Sequence, residues 1–236
     1  MAYYNPIIVV GPNRSGTSMV AGVLHHLGIH MGFDLMIGEA KENPAGYYED
    51  REVMKLNEDL LFPGSWDRLP PPDYLNLARC DGELKHRVVD FIEARADLGK
   101  PWGWKDPRTT ATLPIYLPLL QDPKIIICLR HREAAINSLD RREKKKSRSE
   151  CAFLYDEYMR RLFRNTALTD NFTVNYELFV SSSAFTWHTD DDEVIGVEHE
   201  GLQNLVEWLG LYRPTYKLLT AARHIKPELN RSKIDP

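Results

Sequence analysis

Gly11-Pro12-Asn13-Arg14-Ser15-Gly16-Thr17-Ser18 packs several kinds of hydrogen-bond donor into one short stretch. Ser15, Thr17 and Ser18 carry hydroxyls, and Arg14 carries a planar, permanently charged fork. A glycine loop that opens a helix also turns successive backbone N–H groups toward one point, at the positive end of the helix dipole. Such a set binds an anion. The spacing of Gly11, Gly16 and Ser18 is that of the nucleotide-binding loop G-x-x-x-x-G-K-[ST], but Thr17 stands where that loop has the lysine that reaches the β- and γ-phosphates.

A second basic point lies at Arg130, directly after the apolar run Ile125-Ile126-Ile127-Cys128-Leu129. Magnesium-dependent phosphoryl transfer usually places an acid at the end of such a neighbouring strand. An arginine there repels a metal ion and attracts a second anionic group. The two motifs together describe a site for a nucleotide with two separate anionic ends, and no metal ligand set is expected.

The elements that must hold these residues are legible from hydrophobic period. Ile7–Val10 and Ile125–Leu129 are wholly apolar and rich in β-branched residues, as strands buried on both faces of a parallel sheet must be. Met19, Val20, Val23, Leu24 and Leu27 form one helical stripe, closed by Gly28. Asp50 is placed to cap a helix with Val53, Leu56, Leu60 and Leu61 inward, and Asp81 to cap one running to Leu98 and stopped by Gly99. Trp102–Lys105 reads as a strand, Glu133–Leu139 and residues 150–168 as helices, and Phe172, Val174 and Tyr176 alternate as a strand does. Leu202, Leu205, Val206 and Leu209 mark a late helix ending at Gly210. Leu69-Pro70-Pro71-Pro72 is a stiff connector, and the acid- and serine-rich segment 181–200 reads as an exposed insertion. Strands alternating with helices predict a three-layer α/β fold of P-loop type, with a central, mostly parallel sheet, in one domain over residues 1–236.

Composition bounds the partners. The 236 residues carry a net charge of −4, which argues against a nucleic-acid-coating surface while permitting a local basic pocket. Cys80, Cys128 and Cys151 lack metal spacing and predict no disulfide framework, in keeping with a reducing compartment. No apolar run approaches the ~20 residues that span a bilayer. The start Met-Ala-Tyr-Tyr-Asn-Pro has no basic leader region, so the expectation is a cytoplasmic protein without membrane partners. Nothing in the pattern bears on oligomeric state.

In this order and context the motifs resemble those of the sulfotransferases. Gly11–Ser18 looks like the family's 5′-phosphosulfate loop in its arginine-bearing variant. Arg130-His131-Arg132-Glu133-Ala134-Ala135-Ile136-Asn137-Ser138 looks like its 3′-phosphate motif, with Arg130 and Ser138 as the ligands and Arg132 where proline is usual. Asn43-Pro44-Ala45-Gly46-Tyr47-Tyr48-Glu49, Gly64-Ser65-Trp66-Asp67 and Trp104-Lys105-Asp106-Pro107-Arg108 resemble segments of a bacterial-type branch, and 225–231 is a weaker echo. The resemblance implies 3′-phosphoadenosine 5′-phosphosulfate as donor, without metal, held by Asn13, Arg14, Ser15, Gly16, Thr17, Ser18, Arg130 and Ser138. It implies Arg14 and Lys105 near the transferring sulfuryl group and, among the acids, Glu49 as general base, with Glu39 and Asp50 in reserve. The acceptor would be a carbohydrate, another small molecule, a peptide or a lipid. A P-loop nucleotide or small-molecule kinase and a non-catalytic nucleotide-binding protein are the competing readings.

His25 and His26 lie too far along the first helix to reach the loop and read as structural, whereas His131 is placed beside Arg130. Trp66, Trp102 and Trp104 read as core or pocket wall, and the basic run 141–146 as a solvated helix end.

Overall fold

The computed structural model describes residues 4–37, 43, 45–61, 78, 80–144, 146–181, 185–188, 194–211 and 215–225. Glu39, Pro44, the Gly64–Asp67 segment, the 69–72 connector and most of 225–231 lie outside them. Four parallel strands form the central sheet in the order β2-β1-β3-β4: β1 Ile7–Val10, β2 Gly103–Lys105, β3 Lys124–Leu129 and β4 Asn171–Asn175. In register, Val9 faces Lys105 on one side and Ile126 on the other, and Leu129 faces Asn175. Lys105, the Gly11 loop, Arg130 and Tyr176 therefore leave the sheet along one rim. The chain passes from β1 to β2 on one side and then to β3 on the other, so the loops after β1 and β3 part and leave a crevice, where ligands of open α/β sheets sit.

Side chains alternate between two cores, as strands covered on both faces require. Ile7, Val9, Ile126, Cys128 and Val174 face α1 Thr17–His26, α8 Glu200–Trp208 and α9 Thr215–His224. Ile8, Val10, Ile125 and Ile127 face α2 Arg51–Leu61, α3 Gly82–Ala96, α4 Thr109–Tyr116 and α6 Arg148–Thr166. α5 Arg132–Arg142 packs against α6 through Ala135, Ile136, Leu139, Cys151 and Tyr155. The architecture is the α/β fold with helices on both faces of a parallel sheet.

The predicted cap at Asp81 and stop at Gly99 fall where the sequence puts them, and a further cap lies on α6. Asp81 Oδ1 accepts from Leu84 N at 2.7 Å, Gly99 follows α3 at φ 62°, and Ser147 with Glu150 forms a capping box on α6. One expectation changes, and two elements are added to those expected. β4 stops at Asn175, whose Oδ1 accepts from Leu178 N at 3.1 Å, so Tyr176 opens α7 Tyr176–Ser181 and does not continue the strand. Residues 181–200 hold an antiparallel hairpin, β5 Phe185–His188 and β6 Val194–Glu198, and β6 lies against α9. α4, unforeseen in the sequence, is buried almost all round and so presents no amphipathic stripe. Among the described residues no helix is long and apolar enough to cross a membrane.

Two buried polar knots fix α2, the helix that follows Glu49. Asn57 donates to Thr109 Oγ1 at 3.0 Å and accepts from Thr112 and Tyr116 hydroxyls at 2.7 and 3.0 Å, joining α2 to α4. Asp50 is wholly buried: Oδ2 accepts from Arg95 Nη2 at 2.5 Å and from Phe33 N at 3.1 Å, and Oδ1 accepts from Glu52 N at 3.2 Å. The Arg95 guanidinium lies 3.9 Å from the Phe91 ring centre and is equally buried. Arg95→Met strands the Asp50 charge in the interior, and urea unfolding should register a loss of about 3–5 kcal/mol.

Burial lowers the proton affinity of His25, His26, His30 and His199 below the ordinary value of 6.5. The unfolded chain then binds protons at a pH where the folded chain does not, so stability falls as pH drops through about 6.5 and below. Melting temperatures between pH 7.5 and 5 should decline monotonically.

Candidate active site

The loop after β1 is built by contacts to both neighbours. Gly11 N donates to Thr110 Oγ1 at 2.9 Å, and the same hydroxyl donates back to Gly11 O at 3.2 Å, pinning the loop's start to α4. Ser15 turns inward, its hydroxyl donating to Pro12 O at 2.7 Å and its N–H to the same oxygen at 3.2 Å. Ser15 thus shapes the loop, while Thr17 and Ser18 open α1. Gly16 caps α1 in the left-handed region at φ 94° with no side-chain cap. The first N–H groups of the helix are left to face the rim. A Cβ on Gly16 would stand 2.5 Å from Tyr176 Cδ2, so space and φ both demand glycine.

Arg14 is the loop's second left-handed residue, at φ 71°. Its backbone oxygen accepts from Arg130 Nη1 at 3.1 Å, and its own Nε donates to Ser138 Oγ at 2.8 Å. The predicted 5′ and 3′ ligands are thus in direct contact at the crevice. Arg130 lies 4.4 Å from the Tyr176 ring centre, with Glu177 Oε1 3.6 Å from its Nε, and Tyr155 donates to its backbone oxygen at 2.9 Å. Among the described residues Arg14 has no carboxylate partner, whereas the buried Arg95 and Arg161 and the half-buried Arg108 each face one. Burial, then Arg142 and Arg130, holds the Arg14 guanidinium below its usual proton affinity, and burial does the same to Arg130. Both remain cations. The cluster concentrates positive charge on a shared edge.

Across the loop stands a different pair. Lys105 closes β2 fully buried, and its Nζ donates to Glu49 Oε1 at 2.5 Å and to Ser18 Oγ at 3.2 Å. Lys105 thereby joins Glu49 to the loop. Glu49 is held from behind, since its carbonyl accepts from Met36 N at 2.9 Å and the next residue is the knotted Asp50. Tyr48, just before it, has φ 55° and packs its ring on His25, His26 and His224.

The remaining candidates fall away from the site. Asp50, a reserve for the base, spends its carboxylate on Arg95 and two backbone N–H groups. Trp102 and Trp104 stack in the core with centres 5.9 Å apart, and His25 and His26 pack within the α1–α9 contact. His131 donates its backbone N–H to Glu177, and Arg132 turns outward to Asp156 and Glu133. Arg141 and Arg142, by contrast, form the last turn of α5 near the site, where they complement the helix dipole and add positive charge around Arg130 and Arg14. Tyr176 and Glu177 were missed by sequence reasoning. Their place directly after a central strand was the available signal, obscured by the continuing alternation.

Solved structures share this architecture. The sulfotransferase domain of the Synechococcus PCC 7002 olefin synthase matches with a TM-score of 0.51 and 18% identity, over 100% of this chain and 91% of that one. Sulfotransferase STF9 of Mycobacterium avium gives 0.51 and 14%, over 94% and 68% of the two chains, and STF1 of Mycobacterium tuberculosis H37Rv gives 0.53 and 12%, over 94% and 72%. The chain has the sulfotransferase fold. No family model and no curated protein sequence matches it. Within this sulfotransferase fold, the glycine loop, Lys105 and Arg130 share the rim at which the sheet ends.

Because Gly16 admits neither a Cβ nor a right-handed backbone, Gly16→Ala should cost at least about 1 kcal/mol, read by denaturant unfolding.

Proposed function

We propose that the chain is a sulfotransferase that moves a sulfuryl group from 3′-phosphoadenosine 5′-phosphosulfate to a hydroxyl or amine of a small-molecule or carbohydrate acceptor. One observation carries this reading: a half-buried Arg14 without a carboxylate partner among the described residues, touching Arg130 and Ser138, across the loop from the Lys105–Glu49 pair. The residues fit a donor charged at both ends. The uncapped start of α1, Thr17, Ser18 and the Asn13–Arg14 turn suit the 5′ end, and Arg130 with Ser138 suits a 3′-phosphate.

The donor supplies a sulfuryl group on a good phosphate leaving group. The sulfur–oxygen bond to that phosphate breaks as a new bond to the acceptor forms, and adenosine 3′,5′-bisphosphate is left. Catalysis of such a transfer is mostly positioning and stabilisation of spreading charge. Glu49 takes the acceptor's proton. Lys105, standing between Glu49 and Ser18, offers its ammonium to the charge that develops on the donor side, and Arg14 offers its fork from the opposite side. No acid at the end of β3 competes for these cations, and Thr17 offers none of the charge that a kinase loop places there. A kinase is therefore the poorer reading. The fold on 1–236 acts as one sulfotransferase domain in this proposal.

Thermal-shift measurements provide the test. Adenosine 3′,5′-bisphosphate should raise the melting temperature more than AMP, and ATP with magnesium should have little effect; stabilisation by ATP–magnesium alone overturns the assignment. Glu49→Gln should retain the bisphosphate shift while transfer of labelled sulfate to a mixed acceptor pool falls about 10²–10⁴-fold.

A further inference from the structure

Arg14 is held at two points, and each is one of the two residues assigned above to the opposite end of the donor. Arg130 grips its backbone oxygen, and Ser138 accepts from its Nε. A non-glycine residue in the left-handed region is strained, so such a conformation persists only where its surroundings over-determine it. The two contacts do that here. Ser138 is almost fully buried on α5, and a hydroxyl that accepts one hydrogen bond keeps its own proton to donate. A phosphate oxygen at Ser138 and the guanidinium of Arg14 therefore do not compete. They form a chain, Arg14 to Ser138 to phosphate, in which each bond polarises the next.

We infer that Ser138 is a positioning residue for Arg14, so that the 3′ pocket sets the geometry of the cation serving the 5′ end. The inference rests on the donor assignment above and adds to it. A donor with its 3′-phosphate in place stiffens the Arg130–Arg14–Ser138 bridge and presents Arg14 ready-aimed, while a nucleotide lacking that phosphate meets a looser guanidinium. Ser138 thus contributes to binding even when nothing occupies the 3′ pocket.

Calorimetric titration of the full chain with two nucleotides separates this role from that of a simple phosphate ligand. Adenosine 5′-phosphosulfate lacks the 3′ group that a ligand role would need. Ser138→Ala should weaken adenosine 3′,5′-bisphosphate about tenfold or more and should also weaken adenosine 5′-phosphosulfate severalfold. Ser138→Thr, which retains the hydroxyl, should restore both, and in an Arg14→Gln background Ser138→Ala should leave adenosine 5′-phosphosulfate unchanged. Matching circular dichroism melts confirm that the variants fold. Loss of bisphosphate affinity alone, with adenosine 5′-phosphosulfate bound as tightly as by the wild type, overturns the positioning role and leaves the donor assignment standing. Failure of the wild type to bind either nucleotide overturns both.

Discussion

Like charges held close together in a partly dry crevice repel, and a fold must supply the force that keeps them there. Here Arg14 and Arg130 stand in contact through the backbone oxygen of one of them, with Arg142 adding to the field felt by the first and Arg141 to that felt by the second. The opposing forces come from the sheet. β1 and β3 are neighbours in register, their side chains sunk in two separate cores, so the residues that follow them emerge side by side whatever their charge. Hydrophobic burial thus imposes a proximity that electrostatics alone would undo, and an anion lowers the energy of the arrangement.

The other half of the site shows the reverse balance. Lys105 is buried with Glu49 as its counter-charge and Ser18 as a second acceptor, so its position is electrostatically satisfied. One loop separates a cation paired with a carboxylate from one, Arg14, that has no carboxylate partner among the described residues. In the proposed sulfuryl transfer this asymmetry would be useful: the side without a carboxylate would favour the charged donor, and the paired side would keep a carboxylate within reach of an incoming hydroxyl or amine.

Much of this is legible in the sequence. Strands buried on both faces must be apolar throughout, and β1 and β3 are; glycine loops that feed helices must carry glycine at the left-handed turn, and Gly16 does. Arg14, Ser18 and Arg130 were identified as ligand candidates from residue type and place, Lys105 and Glu49 as candidates from the family resemblance, and the fold brings all five to one rim. The contacts among them were not legible. Arg14 meets Ser138 across 124 positions of sequence and Lys105 meets Glu49 across 56, and no local period encodes such partners. α4 escaped because threonines and Pro114 lower its propensity while burial on every side erases its stripe. Asp50 was expected as a cap, which it is, but its buried arginine lies on another helix.

Tyr48 carries a consequence for how Glu49, the proposed base, is held. Its backbone sits in a conformation that costs an ordinary residue about 1–2 kcal/mol, and its ring is wedged among three imidazoles from α1 and α9. The chain therefore enters Glu49 from a crooked, clamped residue and leaves it into the buried knot at Asp50. A carboxylate bracketed in this way has little rotational freedom left to surrender, so under the proposed role of Glu49 the entropy of aiming it was spent during folding and would not be spent again in each turnover.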